Sequence, residues 1–202
     1  MPKKIKHTKS ELKKQKDALE VYTRFLPTLI LKKQQLQSEI LRITNEMDGL
    51  SSEIRSLADS VDKWVDVFGE DVGMRDLIKV QGIESTDGNI AGIDIPIFEK
   101  IIFDEKEYDL LRTPLWVDFG LEAVKKLAAL NAKHEILKVQ RDLIREELRI
   151  TTQRVNLFEK VKIPETIENI RVIRIFLGDL QTAGVVTGKI AKKKIEERAG
   201  VE

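Results

Sequence analysis

Alternating steps of three and four residues from Leu12 reach Gln15, Leu19, Tyr22, Leu26, Leu29, Lys33, Leu36, Ile40, Ile43, Met47, Leu50, Ile54, Leu57, Val61, Trp64 and Phe68. Fifteen of these seventeen positions are apolar. A period of 3.5 kept over about eight heptads belongs to a coiled coil rather than to a helix lying on a globular core. The positions between are Lys, Glu, Gln, Ser and Arg, as a solvated face requires. A helix of about 60 residues would be about 90 Å long, more than a compact domain of this size holds. Pro27 interrupts the ladder at a cost of about 3 kcal/mol and predicts a kink near Tyr22 and Thr23. The seam keeps its phase across Pro27, so the helix is expected to continue.

Composition agrees with long amphipathic helices. Of 202 residues, 34% are charged, 42% apolar and only 5% aromatic, with 11 Gly and 5 Pro. That balance argues against a sandwich, a barrel or a large globular enzyme. Cys is absent, which removes disulfides, thiolate nucleophiles and zinc–thiolate sites. The two histidines, His7 and His134, are far apart, so a histidine metal cluster is not expected. No HExxH, GxSxG or GxGxxG occurs. Gly184-Val-Val-Thr-Gly188-Lys189-Ile190 imitates a phosphate loop but is one residue short between its glycines, and Ile190 stands where Ser or Thr would hold magnesium. Gly178, Gly184 and Gly188 are expected instead to loosen the end of the second helix. Catalytic, cofactor-binding and metal-ligating residues are therefore none. The opening Met1-Pro-Lys-Lys-Ile-Lys has no apolar h-region and predicts no secretory leader. No apolar run is long enough for a membrane span. A soluble intracellular protein is the expectation.

After Phe68 the period fails at Gly69, Gly73 and Gly82. Partial two-residue alternation follows in Leu77–Ile83 and again in Asn89–Phe98, where Ile93, Ile95 and Ile97 share a face. Asp87-Gly88 between them reads as a hairpin turn. The expectation is a β-hairpin over about 77–103, which must lean on the helices or on a partner. Pro96 confines its second strand to an edge or ends its pairing. A second helix follows, which Asp118 or a neighbour is positioned to cap. Its seam is Ala123, Leu127, Leu130, His134, Leu137, Arg141, Ile144, Leu148, Thr151, Val155 and Phe158. The phase shifts near Pro164 and resumes at Ile163, Ile167, Ile170, Ile173, Leu177 and Leu180. The predicted fold is mainly α, a long antiparallel two-helix coiled coil with a small β-hairpin insert. Its parts are an N-terminal coiled-coil helix (1–72), a hairpin-containing insert (73–117) and a C-terminal coiled-coil helix with a basic tail (118–202).

Charge is segregated. Residues 1–42 carry 11 Lys/Arg and 4 Asp/Glu, net +7; residues 43–124 carry 7 and 19, net −12; residues 125–202 carry 17 and 11, net +6. A helical hairpin would set the two basic segments side by side, where they repel unless something acidic receives them. Without interleaved aromatics, and with whole-chain charge near zero, nucleic acid is not the expected partner.

Four stretches carry a family likeness. Thr8-Lys-Ser-Glu-Leu-Lys-Lys-Gln-Lys-Asp-Ala-Leu is similar to an opening Thr-x-x-x-Leu-x-x-Leu-Lys pattern. Leu29-Ile-Leu-Lys-Lys-Gln-Gln-Leu resembles a Leu-Leu-Lys-x-Lys-x-x-x-Leu run. Ala91-Gly-Ile-Asp-Ile-Pro-Ile-Phe-Glu resembles a Gly-Val-x-x-Pro hairpin. Arg154-Val-Asn-Leu-Phe-Glu-Lys-Val-Lys-Ile-Pro-Glu-Thr-Ile-Glu-Asn-Ile resembles the segment Arg-Val-Asn-Ala-Leu-Glu followed by Pro and Thr-Ile. With these motifs in helix–hairpin–helix order, the chain resembles the D subunits of the V-type and A-type rotary ATPases, the central rotor shafts of those machines. It departs from that pattern from Gly178 to Lys189, where members of the family are rich in Glu and Arg.

The resemblance implies a non-catalytic rotor that couples ATP hydrolysis or synthesis in a catalytic hexamer to H⁺ or Na⁺ transport. Its implied partners are the catalytic A and regulatory B subunits, the F subunit of the stalk, and the C/d subunit joining the membrane rotor ring. No cofactor and no membrane span are implied, and the location is cytoplasmic, peripheral to the inner (plasma) membrane. Lys13, Lys14, Lys16, Lys192, Lys193 and Lys194 are the expected hexamer contacts. The F subunit is expected against the hairpin, with Gly92, Pro96 and Phe98 as contacts. Two other readings fit a helical chain: a prefoldin-like chaperone, and a structural coiled coil that homodimerises through its first seam.

Overall fold

The computed structural model describes residues 5–63, 77–109, 113–114 and 116–199. In chain order the elements are helix α1 (Lys9–Asp62), strands β1 (Ile78–Ile90) and β2 (Ile93–Glu105), helix α2 (Trp116–Leu157), a π-helical turn (Phe158–Lys162) and helix α3 (Ile163–Ala199). The fold is mainly helical, with a two-stranded antiparallel hairpin. Two compact units divide it: residues 1–31 with 151–202, and residues 32–150.

Thr8 starts α1, its hydroxyl accepting a hydrogen bond from the Glu11 N–H at 3.2 Å while its carbonyl takes the Leu12 N–H. This satisfies donors that a helix end leaves without an internal partner. The helix continues through exposed Pro27. From Leu12 to Val61 every seam position is buried or half-buried, including polar Gln15 and Lys33. Trp64, Phe68, Gly69 and Gly73 lie outside the described residues.

In the unit of residues 32–150, α1 and α2 run antiparallel, with Lys32 Nζ 2.7 Å from Glu147 and Lys133 Nζ 3.1 Å from Glu46. Between them Leu36, Ile43, Met47, Leu50, Leu137 and Ile144 form the core, and Ile43 and Ile144 lose all contact with water. Each fully buried aliphatic side chain contributes about 1.5–3 kcal/mol. Ile90, Ala91 and Ile93 at the hairpin tip pack on this cluster, so the hairpin rests on the helices.

The hairpin turn is not at Asp87-Gly88. Those residues lie within β1, opposite Pro96 and Ile95. The chain reverses at Ala91-Gly92, both with positive φ (53° and 81°), the geometry of a two-residue primed turn. Asn89 secures it, accepting the Gly92 N–H at 3.0 Å and donating to Asp94 at 2.7 Å. The reason is register. Turning at Ala91-Gly92 pairs Ile90 with Ile93, Ile83 with Ile101 and Val80 with Phe103, and brings Lys100 to 3.2 Å from Glu84. A turn four residues earlier would forfeit these pairs. Gly88 has a different use: a Cβ there would overlap the Ile97 side chain, so glycine leaves room for that side chain to lie across β1.

In the other unit, α1 meets the π-turn and α3 antiparallel. Tyr22 packs on Phe158 with ring centroids 5.1 Å apart, Asn169 donates to Gln15 at 3.3 Å, and His7 packs on Phe176 at 4.8 Å. The predicted phase shift has a physical origin here. Pro164 has no N–H for the carbonyl of Lys160, and in a regular α-turn its ring would strike that carbonyl. The helix widens instead, and the Ile163 N–H donates to Phe158 O, five residues back. The extra residue rotates the remainder of the helix. From Val155 a regular alternation would pass through Glu165, Asn169 and Val172, but the buried residues are Thr166, Ile170 and Ile173, each one later. The second seam is corrected at Ile167 and Leu180, which are 52% and 54% exposed, with Thr166 buried beside Ile167, while Gln140 next to half-buried Arg141 joins Thr151 as a buried polar residue of α2.

Candidate partner-binding surfaces

The basic residues of the two chain ends stand at separate stations. Lys13, Lys14 and Lys16 are grouped on α1 around Gln15, whose partner on α3 is Asn169. Lys192, Lys193 and Lys194 follow on the same helix as Asn169, about 34 Å further along at 1.5 Å per residue. Lys192 and Lys193 each lie near a glutamate one turn on, at 3.6 Å from Glu196 and 3.7 Å from Glu197. Such exposed pairs are weak and leave the ammonium groups accessible to a partner.

His7 against Phe176 marks where α1 begins beside α3. Among the described residues, α3 continues past Leu177 with every side chain up to Glu197 exposed. Leu180, Val185, Val186, Ile190 and Ile195 are all at least half open to water. Gly178, Gly184 and Gly188 lie inside this helix, and added Cβ atoms would meet nothing within 4 Å. The phosphate-loop lookalike is thus helical throughout, with no loop to wrap an anion.

The hairpin presents a second surface. Gly92 is exposed at its tip, while Pro96 and Phe98 are half-buried. The Pro96 carbonyl accepts the side-chain amide of Gln140 at 2.5 Å. Pro96 suits this position: it has no N–H to give, the sheet has only two strands, and its carbonyl turns to α2. Phe98 lines a cleft of about 280 Å³ with Arg42, Lys133 and Gln140. Near the other end of β2, Lys125 holds Glu105 at 2.6 Å. Val80, Ile83 and Ile97 remain about half exposed. Gln140 was not legible in the sequence as the hairpin's anchor, since only the packing shows a polar residue beside the seam to be buried.

Among the described residues, shifted titration is confined to hydrogen-bonded pairs. Tyr108 donates to Asp118 in the first turn of α2, and that hydrogen bond, with the carboxylate's charge, raises the phenol's pKa. Arg149 and Arg171 hold Glu146 and Glu168 below the usual carboxylate range through hydrogen bonds. All but half-buried Tyr108 are exposed. Among the described residues no group of three or more His, Asp or Glu is placed to hold a metal ion, and no helix is long and apolar enough to cross a membrane.

Known proteins share this sequence along nearly its whole length. The profile of the ATP synthase D subunits matches residues 11–193. The chain is 48% identical over 192 residues to the V-type ATP synthase D subunit of Borreliella burgdorferi, covering 95% of each chain. It is 35% identical over 208 residues to the protein of the same name from Chlamydia trachomatis (98% of each) and 32% identical over 201 residues to that of Chlamydia caviae (98% and 97%).

Proposed function

The chain belongs to the family of ATP synthase D subunits, and from that premise we propose that it is the central-stalk rotor of a V/A-type rotary ATPase. It does no bond chemistry itself. It couples ATP hydrolysis or synthesis in a hexamer of A and B subunits to H⁺ or Na⁺ movement by turning within that hexamer. The observation that carries the proposal is the unbroken seam from Leu12 to Val61, packed antiparallel against α2 in one unit and against the π-turn and α3 in the other. Close-packed interiors deform little, so a seam of this kind transmits torque rather than absorbing it. A shaft that contacts three equivalent sites unequally favours a different ligand state at each, and the hexamer's ligand state in turn selects the shaft angle.

In this reading Lys13, Lys14 and Lys16, with Lys192, Lys193 and Lys194, face acidic or polar surfaces of the hexamer. Neutralising them is expected to weaken hexamer binding and reduce its salt dependence. The F subunit lies against the hairpin, with Gly92, Pro96 and Phe98 among its contacts. Removing residues 84–92 is expected to abolish its co-purification. The C/d subunit joins the stalk to the membrane ring, so the chain is peripheral to the membrane on its cytoplasmic side. The decisive experiment is reconstitution with the A and B subunits and a bead fixed to this chain. Stepwise rotation on adding ATP is the expected result, and a stationary bead on an active hexamer overturns the reading.

A further inference from the structure

In the unit of residues 1–31 and 151–202, each of the paired helices carries a break in its backbone ladder, and the two breaks face each other. On α1, Pro27 has no N–H for the carbonyl of Thr23. On the other side, Pro164 gives the turn before it no N–H, and the helix there is widened over Phe158–Lys162. Tyr22, next to Thr23, and Phe158, the first residue of the π-turn, meet with ring centroids 5.1 Å apart. That contact therefore adjoins a weakened ladder on both helices. Hydroxyls compete for carbonyls nearby: Thr23 donates to Leu19 O at 2.8 Å and Thr166 to Lys162 O at 2.6 Å. Back-bonds of this kind slightly weaken a helix and often bend it.

Packing is thin at the same level. No residue of α1 from Lys9 to Gln35 is buried, and none from 156 to 165 on the facing helix. Val21, Phe25, Leu157 and Val161, close to the ring pair in sequence, are each about half exposed. Further along α3, Ile170 and Ile173 are buried, and in the other unit Ile43 and Ile144 lose all contact with water. Local opening is easiest where buried apolar contacts are few and backbone hydrogen bonds face solvent. The coincidence of the two breaks matters, because an unbroken helix would splint a broken neighbour.

We infer that the level of Tyr22 and Phe158 is a flexible joint, where α1 and the facing helix open and bend together before the packed stretches do. The joint is a property of the chain itself and stands apart from the rotor reading. A rotor built on it would collect twist at this level, since close packing resists deformation elsewhere.

The test is hydrogen exchange on the full chain, followed by mass spectrometry. Amides of 19–28 and 157–166 are expected to exchange about tenfold or more faster than those of 40–47, 140–147 and 167–173. Exchange that rises smoothly toward the chain ends, with 167–173 faster than 157–166, is fraying and overturns the inference. Pro27→Ala, at an exposed position, returns a donor to Thr23 and should slow exchange over 19–28 about fivefold, the worth of one hydrogen bond. Because the helices open together, 157–166 should slow with it. Slowing confined to α1 would mean two separate frays, which overturns the joint. Gly49→Ala, at another exposed position of α1, is the control, and circular dichroism verifies folding. A control that slows 19–28 as much as Pro27→Ala makes the effect global and also overturns it.

Discussion

Gln140 on α2 donates its side-chain amide to the carbonyl of Pro96 on β2, tying a strand that offers no N–H at that point to a helix 44 residues further along the chain. Gln140 is buried, so its amide has little recourse to water once the strand is lost. Replacement with leucine removes the donor and leaves the carbonyl poorly satisfied, at an expected cost of about 1–3 kcal/mol. Hydrogen exchange should show the loss as faster exchange of hairpin amides, with core amides around Ile43 protected as before. Equal acceleration in both regions would mean that the contact stabilises the whole unit rather than the docked hairpin.

The turn at Ala91-Gly92 predicts an asymmetry among glycines. Gly92 has φ +81°, whereas Gly82 has no steric neighbour within 4 Å and no positive φ. Gly92→Val should destabilise the hairpin by about 1–2 kcal/mol, because a β-branched residue resists the left-handed region. Gly82→Ala should change stability by well under 1 kcal/mol. Chemical denaturation of both variants makes the comparison.

Core and surface positions of one helix should separate cleanly. Ile43 is fully buried, and Leu41 two residues earlier is 63% exposed. Ile43→Ala should cost about 2–5 kcal/mol through lost burial and the cavity left behind. Leu41→Ala should fall within about 0.5 kcal/mol of the parent chain. Midpoints of urea unfolding measure both, and a large loss at Leu41 would indicate that a second chain covers that face.

The π-turn predicts which deletion the chain tolerates. Removing Lys160 together with Pro164→Ala takes away both the extra residue and the ring that demands it, so Thr166, Ile170 and Ile173 keep their faces. Removing Lys138 from the middle of α2 instead rotates every later seam residue by about 100°. The first variant should keep helical content and cooperative thermal unfolding. The second should lose both.

Tyr108 titrates high because ionisation would break its hydrogen bond to Asp118 and set two negative charges together. There are two tyrosines in the chain. In a Tyr22→Phe background, ultraviolet absorbance therefore follows Tyr108 alone. Its midpoint should lie above the ordinary value of about 10, and Asp118→Asn should bring it down. A raised folded pKa favours the protonated fold. The stabilisation is complete below the unfolded value and disappears as pH climbs through the folded one. Docking at the start of α2 should accordingly weaken only in strong alkali, and a midpoint unmoved by Asp118→Asn would contradict the contact.

The seam of α1 is legible in the order of residues alone, because a 3.5-residue period repeated from Leu12 to Val61 permits one buried face whatever packs against it. The same order determined that a hairpin separates the helices, since alternation of period two and period 3.5 cannot share a backbone conformation. It marked the phase shift at Pro164, because proline announces a missing N–H locally. What it did not determine was long-range choice. Asp87-Gly88 is the stronger local turn signal, yet Ala91-Gly92 is the turn, since pairing Ile83 with Ile101 and Val80 with Phe103 outweighs the left-handed strain at Ala91. Gln140 became buried, and Ile167 exposed, only through packing: one anchors a strand whose position the helix sequence does not encode, and the other stands one residue past Thr166, which the extra residue of the π-turn brings into the seam.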